Sequence, residues 1–485
     1  MYTSIAQYHQ QLQAGTTNCH TTVLQYIKVI KANTHLNAFV QVYEEEALYT
    51  AQLIDNKIKA GQPLGKLYGV VIAIKDVICY KGHRVTAASK ILAGFTSVYT
   101  ATALQRLIDE DAVIIGSCNC DEFAMGSTNE NSAYGKVLNA ANTLKVPGGS
   151  SGGSAVAVQA NMCMLSLGSD TGGSVRQPAD FCGIIGVKPS YGYISRYGLI
   201  AYASSFDQIG IFGKQLNDVA LALQIMGGPD DFDSTALQQA PTPLVAYQNK
   251  QHTITIPNNK KFKIAYFNAA IQHPSLDVEI KNAITNCCNQ LKQNNHLVQA
   301  VDFDLLEYIV PTYYVLTTAE ASTNLSRFDG VRYGHRTKAP VKDLNDFYKK
   351  NRSEGFGIEV QRRIMLGTFV LSAGYYDAYF SKAQQVRQLL VEKVTAIFKE
   401  YDAIILPTTP TTAFNIGEKL DDPIAMYVAD IYTVFANLTG LPGISIPLFT
   451  HSNGMPFGLQ IMTDTCNEST MLQLAQLLLQ QYQKV

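Results

Sequence analysis

Charge is scarce in this chain. Only 16% of its 485 residues are Asp, Glu, Lys or Arg, and 38 basic against 39 acidic side chains leave a formal net charge of −1. An ordinary soluble domain carries roughly 25% charged residues, so much of this surface is neutral or covered by a partner. A chain that grips nucleic acid by itself needs a surplus of Lys and Arg against the phosphates, and none is present. Cysteine pairing is missing too. The nine cysteines are an odd number without a CxxC pair, which excludes a disulfide-stapled secreted scaffold and points to reduced thiols in a cytoplasmic protein. Cys118-Asn119-Cys120 has no third ligand near it, so no metal is expected. No apolar run approaches the ~18 residues that span a bilayer. The stretch Met1 to His9 lacks the basic segment and apolar core of a secretory signal. No membrane association is expected.

Apolar residues are plentiful, at 47%, and their pattern is that of an α/β protein. Ser4 before Ile5 to Ala14, then Gly15, reads as an N-capped helix with a glycine stop. Ala47, Ala51, Ile54 and Ile58 share one face of a second helix from Glu44 to Lys59, closed by Gly61. A helical segment thus fills about residues 1–60. Gly69 to Ile74 is a continuous apolar run of strand length, the kind buried on both faces of a mostly parallel sheet, and it ends at Lys75-Asp76. A helix near Ala101 to Asp111 and a strand at Val113 to Ile115 continue the alternation. From Pro229 to Lys261 the composition shifts to Gln, Asn, Pro and Asp, a polar surface excursion. Long helices near Tyr308 to Leu325 and Tyr379 to Lys399, strands at Ala403 to Leu406 and Gly443 to Leu448, a hairpin around Asn453-Gly454 and a helix from Ser469 complete the chain.

Two glycine-serine clusters stand out, Pro147-Gly148-Gly149-Ser150-Ser151-Gly152-Gly153-Ser154 and Gly168-Ser169-Asp170-Thr171-Gly172-Gly173-Ser174. Glycines let successive backbone N–H groups point at one oxygen, and Thr171 to Ser174 would place a hydroxyl beside such a nest. Taken alone, either cluster is as readily a turn or a flexible linker. The first also matches G-x-S-x-G, centred on Ser150 or Ser151, but Val146-Pro147 before it argues against the strand that a nucleophile elbow requires. No histidine lies between His83 and His252, so a Ser-His-Asp triad fits poorly. Lys75 remains as a base. Burial disfavours an ammonium ion and lowers its pKa, and serine-lysine pairs are a known variant of triad logic. The alternative is a lysine ion-paired to Asp76 or a nearby carboxylate.

These pieces, in this order, resemble the amidase signature family, whose signature is the Gly/Ser-rich stretch from Gly148 through Pro189. The 75 residues from Lys75 to Ser150 and the 24 from Ser150 to Ser174 agree with the family's Ser-Ser-Lys arrangement. The resemblance implies a large mixed central β-sheet covered by helices on both faces, as a single domain over 1–485. It implies Ser174 as nucleophile, Ser150 as a bridging serine after a cis peptide bond, and Lys75 as the base. The oxyanion would sit against the N–H groups of Thr171, Gly172, Gly173 and Ser174.

Within the family, the chain is similar to the glutamine-hydrolysing components of heterotrimeric, tRNA-dependent amidotransferases. Met125-Gly126-Ser127-Thr128-Asn129-Glu130-Asn131-Ser132, Glu320 to Arg327, Gly355-Phe356-Gly357 with Arg362 to Gly367, and Tyr427-Val428-Ala429-Asp430 before Asn437 to Gly443 carry that likeness. Phe435 and Thr439 depart from it, standing where a proline and an alanine are expected. Glutamine carries an α-carboxylate and an α-ammonium, so its pocket needs a fixed cation and a fixed anion, and a planar Arg fork suits the carboxylate. The resemblance implies Arg363, with Arg362 as the alternative, and Asp430 in these roles. It also implies a tyrosine from Tyr313-Tyr314, here Tyr314, and lining by Met125, Gly126 and Ser127. The same resemblance implies two partners, the B and C subunits of such an enzyme. Ammonia would pass to the B subunit, which binds the tRNA and uses ATP and Mg, with the C subunit wrapped around the other two. No cofactor is implied in this chain.

Overall fold

The apolar runs become strands buried on both sides. In a computed structural model of the chain, which describes residues 1–248, 251–257, 260–418 and 429–482, the sheet strands are β1 (Phe39–Val42), β2 (Val71–Lys75), β3 (Val113–Cys118), β4 (Leu165–Asp170), β5 (Ile185–Lys188) and β6 (Gln208–Gly213), then β9 (Lys263–Phe267), β10 (Leu297–Val301), β11 (Ala403–Pro407), β12 (Gly443–Thr450) and β13 (Pro456–Met462). They form one 11-stranded sheet in the order β1-β3-β2-β4-β6-β5-β12-β13-β11-β9-β10. A two-stranded hairpin, β7 (Ala246–Gln248) with β8 (Gln251–Thr253), stands apart from it. The sheet is mixed. β3, β2 and β4 run parallel, as do β11, β9 and β10, while the pairings from β4 across to β11 are antiparallel.

Period-two geometry sorts β2 and β3 between two cores. Val71, Ala73, Val113 and Ile115 pack on one face with Tyr8, Val23, Ala47 and Ala51 of the amino-terminal helices and Ala155 to Val158 of the helix Gly152–Gln159. Ile72, Ile74 and Ile114 pack on the other with side chains such as Tyr313, Leu316 and Val360 of the helices Leu306–Asn324 and Ile358–Val370. Two faces, two cores and a layer of helices on each is the architecture the resemblance implied.

Most element boundaries follow the sequence signals. Ser4 caps Ile5–Gln13 by accepting the Gln7 N–H at 3.1 Å, and Glu44–Lys59 is helical over the expected span. The hairpin at Asn453-Gly454 joins β12 to β13. The helix Cys19–Ala32 adds a third member to the amino-terminal helical segment, and the helix expected from Tyr379 is a π-helical turn, Asp377–Ser381, leading into Lys382–Phe398. The polar excursion at 229–261 contains the small hairpin, although residues 249–250 and 258–259 lie outside the described residues. So do Tyr427 and Val428 of the motif before Asp430. All nine cysteines are free thiols, eight of them buried. Among the described residues no helix is long and apolar enough to cross a membrane.

Candidate active site

β2 and β4 are adjacent and parallel, so their carboxyl ends emerge side by side. The first ends in Lys75, the second in Ser169 and Asp170. The loop before the helix Gly152–Gln159 brings Ser150 and Ser151 to the same point. Lys75 Nζ lies 2.6 Å from Ser150 Oγ, 2.9 Å from Ser151 Oγ and 2.9 Å from Ser169 Oγ, all four side chains being buried. Lys75 makes no ion pair among the described residues. The Asp76 carboxylate points away, taking the hydroxyls of Thr86 and Ser117 and the Ala88 N–H.

The partners decide what this lysine can do. Ser151 Oγ already donates to the Ser169 carbonyl at 3.1 Å, so toward Lys75 it can only accept. Ser150 Oγ has no other side-chain or backbone partner among the described residues. A neutral amine has two N–H donors and one lone pair. The two donors suit Ser151 and Ser169, and the lone pair suits the Ser150 proton. Burial pushes the Lys75 pKa down to about 8, against the opposing charges of Asp121, Asp170 and Asp207. A second buried lysine gives the contrast. Lys188 is pushed down to about 7 by burial, but its ammonium meets only acceptors, the carbonyls of Pro189 and Leu441 and the amide oxygen of Gln208. With three acceptors and no hydroxyl around it among the described residues, Lys188 Nζ faces no hydroxyl proton that it could take.

Ser174 stands between β4 and the helix Arg176–Cys182, and its hydroxyl makes no hydrogen bond among the described residues. It keeps 8% exposure where Ser150 and Ser151 have none. The expected Ser150–Ser174 hydrogen bond is not formed in this structure. The peptide between Gly149 and Ser150 is cis. Of the four N–H groups expected to face an oxyanion, that of Gly173 is occupied, donating to Asp170 Oδ1 at 2.8 Å. Those of Thr171, Gly172 and Ser174 have no acceptor among the described residues. Gly173 has φ +117°, and a Cβ there would lie 2.2 Å from Thr433 Oγ1, so only glycine fits.

The turn is held by a buried ion pair that no local sequence signal reveals. Asp170 takes the N–H groups of Gly173 and Val175 and both Nε and Nη2 of Arg176, while Arg176 also reaches Gln460 and Asn437. Burial alone would raise the Asp170 pKa, but the Arg176 charge and hydrogen bonds hold it well below the usual carboxylate range.

The residues expected to form the pocket also converge. Tyr313 and Tyr314, on the Leu306–Asn324 helix, meet the site with both rings: a Cβ on Gly172 would lie 2.4 Å from the Tyr313 hydroxyl, and the Tyr314 hydroxyl donates to Asp430 Oδ2 at 3.1 Å. Ser127 Oγ donates to the same oxygen at 2.8 Å. Burial raises the Asp430 pKa to about 6 against these two hydrogen bonds and the Arg363 charge. Arg363 is buried and stacks over the rings of Tyr202 and Tyr314. Its Nε donates to Glu359 at 2.9 Å and its Nη1 to the Tyr202 hydroxyl at 2.8 Å, leaving Nη2 without an acceptor among the described residues. Arg362 lies on the outer face, its side chain 49% exposed and paired to Glu359, so the two arginines are told apart by burial. Met125 is buried beneath, and Gly126 adopts φ +156° against the Asp121 carboxylate. Among the described residues no group of three His, Cys, Asp or Glu could hold a metal. Histidines are engaged elsewhere, His83 with Glu46 and His335 with Glu354.

The site is thus a serine-lysine cluster at paired strand ends, beside a glycine turn with unspent N–H groups. The chain belongs to the amidase family, whose profile, described as Amidase, matches residues 21–472. It is 48% identical over 466 residues to the glutamyl-tRNA(Gln) amidotransferase A subunit of Lachnospira eligens, covering 95% of this chain and 94% of that protein. It is 45% identical over 480 residues to the protein of the same name from Chlorobium phaeobacteroides, covering 98% of each. The crystal structure of the glutamyl-tRNA(Gln) amidotransferase A subunit from Thermotoga maritima superposes with a TM-score of 0.76 at 36% identity, over 94% of this chain and 90% of that one.

Proposed function

We propose that this chain is the glutamine-hydrolysing component of a tRNA-dependent amidotransferase. The observation that supports the reading is a buried Lys75 bonded to serine hydroxyls and, among the described residues, to no carboxylate, in a site where the Tyr314 ring meets both a buried cation, Arg363, and a buried anion, Asp430. Arg363 Nη2 takes the α-carboxylate of glutamine and Asp430 its α-ammonium, which sets the side-chain amide over Ser174. Neutral Lys75 accepts the Ser150 proton while Ser150 accepts that of Ser174. Ser174 Oγ attacks the amide carbon, and the oxyanion is met by the N–H groups of Thr171, Gly172 and Ser174; loss of one such donor typically costs about 10²–10³ in kcat. The relay then runs backwards to protonate the leaving nitrogen, the C–N bond breaks, ammonia departs, and water cleaves the acyl ester to glutamate.

The names of the relatives support a role within a complex. Ammonia would pass to the B subunit, which activates the carboxyl group of Glu-tRNA(Gln) with ATP and Mg and forms Gln-tRNA(Gln), while the C subunit binds both. The low charge of this chain agrees with leaving the tRNA to the B subunit. The test is to purify the tagged chain with its native partners and assay glutamine-dependent amidation of glutamyl-tRNA. Ser174→Ala is expected to abolish amidation from glutamine while leaving amidation from added ammonia. Glutamine-dependent activity that survives Ser174→Ala overturns the assignment.

A further inference from the structure

Arg363 is not aimed by its own helix alone. Its Nη1 donates to the Tyr202 hydroxyl at 2.8 Å, Tyr202 donates onward to Thr317 Oγ1 at 3.0 Å, and Thr317 donates to the Tyr313 carbonyl at 2.8 Å. Every proton along this path has a fixed direction, because an arginine has no acceptor and a carbonyl no donor. The Tyr202 oxygen therefore presents its lone pair to Arg363, and with Glu359 on Nε it fixes the guanidinium plane so that Nη2 is the arm left over. The loop bearing Tyr202 is itself tied to the nest. The Asp207 carboxylate accepts the N–H groups of Tyr202 and Ala203 at 2.9 to 3.1 Å and the Thr171 hydroxyl at 2.7 Å. All of these groups are buried.

We propose that Tyr202 is a positioning residue for substrate selection: its hydroxyl aims the carboxylate-binding arm of Arg363, and Asp207 locks the Tyr202 loop to Thr171, so that carboxylate recognition and oxyanion binding are set by one rigid frame. This rests on the reading of Arg363 as the glutamine carboxylate ligand. The Arg363 guanidinium lies over the Tyr202 ring and the Tyr202 hydroxyl bonds only Arg363 and Thr317 among the described residues, so loss of that hydroxyl loosens the clamp and leaves the reacting groups in place.

The experiment is steady-state ammonia release by the full chain assembled with its partner subunits. Tyr202→Phe keeps the ring and removes the hydroxyl. The expected result is a rise of about tenfold in the KM for glutamine, the size of a lost hydrogen bond to a charged group, with kcat within about twofold. 4-Aminobutanamide, which is glutamine without its α-carboxylate, is expected to lose no efficiency, read as a substrate or as a competitor of glutamine. Thr317→Val, which frees the Tyr202 hydroxyl to rotate, is expected to act in the same direction and decides the matter if Tyr202→Phe is poorly folded. An unchanged glutamine KM in both variants, or an equal loss on glutamine and 4-aminobutanamide, overturns the proposal. Arg363→Ala separates it from the reading beneath it: if that variant leaves the glutamine KM unchanged the pocket assignment fails, whereas a raised KM there with none in Tyr202→Phe removes only the role of Tyr202.

Discussion

Raising the pH from 7 to 8.5 is expected to speed glutamine hydrolysis at saturating substrate, because the proposed base, Lys75, must first be neutral. Burial lowers the Lys75 pKa from 10.5 to about 8, a differential cost to the ammonium of about 3 kcal/mol. With a pKa of about 8 the neutral fraction grows from about one tenth at pH 7 to about three quarters at pH 8.5, so kcat rises about eightfold and then levels off. The sign follows from the direction of the shift: the active form is the deprotonated one, so activity climbs through pH 8 and has no descending limb from this group. Cys120 adds no charge in this window, since burial pushes its thiol well above 9. Asp121, with a pKa raised by burial to about 6, is ionised here and holds Lys75 up. Asp121→Asn is therefore expected to move the profile to lower pH. The assay is ammonia release by the assembled enzyme between pH 6.5 and 8.5, with enzyme stability checked at each pH. A flat profile, or one that moves to higher pH in Asp121→Asn, refutes the assignment of Lys75 as the base.

Three further outcomes are expected. Arg176→Met leaves Asp170 buried without its cation, and removing one partner of a buried pair costs about 3 to 5 kcal/mol; a fall in the denaturant midpoint together with lost activity checks it. Gly172→Ala sets a methyl 2.4 Å from the Tyr313 hydroxyl and 2.5 Å from its ring, so kcat for glutamine is expected to fall at least about tenfold, measured beside a wild-type thermal melt. The chain alone is expected to show no salt-sensitive tRNA binding in a filter assay at moderate ionic strength, because its 38 basic and 39 acidic residues leave no surplus for phosphate.

Periodicity and punctuation placed the strand that carries Lys75 and the closing hairpin, because an apolar run of strand length or an Asn-Gly turn is a local signal; Ser174 was legible only as a member of a glycine-serine cluster. Sheet order is not local. Nothing in the run from Val71 to Lys75 says that β4 lies beside it and not β5, yet that adjacency puts Ser169 against Lys75. Ser151 and Ser169 were legible as members of glycine-serine clusters but not as lysine partners. The arginine pair shows the same divide. Helical spacing alone cannot say which of Arg362 and Arg363 turns inward, and burial against Tyr202 and Glu359 decides it. Gly173 shows the converse: its N–H belongs to a nest by sequence, but the carboxylate of Asp170 takes it first. A backbone donor is committed by whichever acceptor the fold brings nearest, and Asp170 is only three residues away.

The site draws its parts from two sources. Lys75, Ser169 and the turn from Thr171 to Ser174 are fixed to the ends of β2 and β4, whereas Arg363, Tyr313 and Tyr314 hang from two helices packed over the sheet, with Tyr202 and Asp207 among the hydrogen-bonded links between them. The proposed cutting tool and the proposed gauge thus stand on different elements and are coupled through Tyr202 and Asp207. Redesign of the Ile358–Val370 and Leu306–Asn324 helices can change which amide is admitted while the serine relay stays as it is, and the hydrogen bonds of Tyr202 and Asp207 mark where a new gauge would have to be fastened.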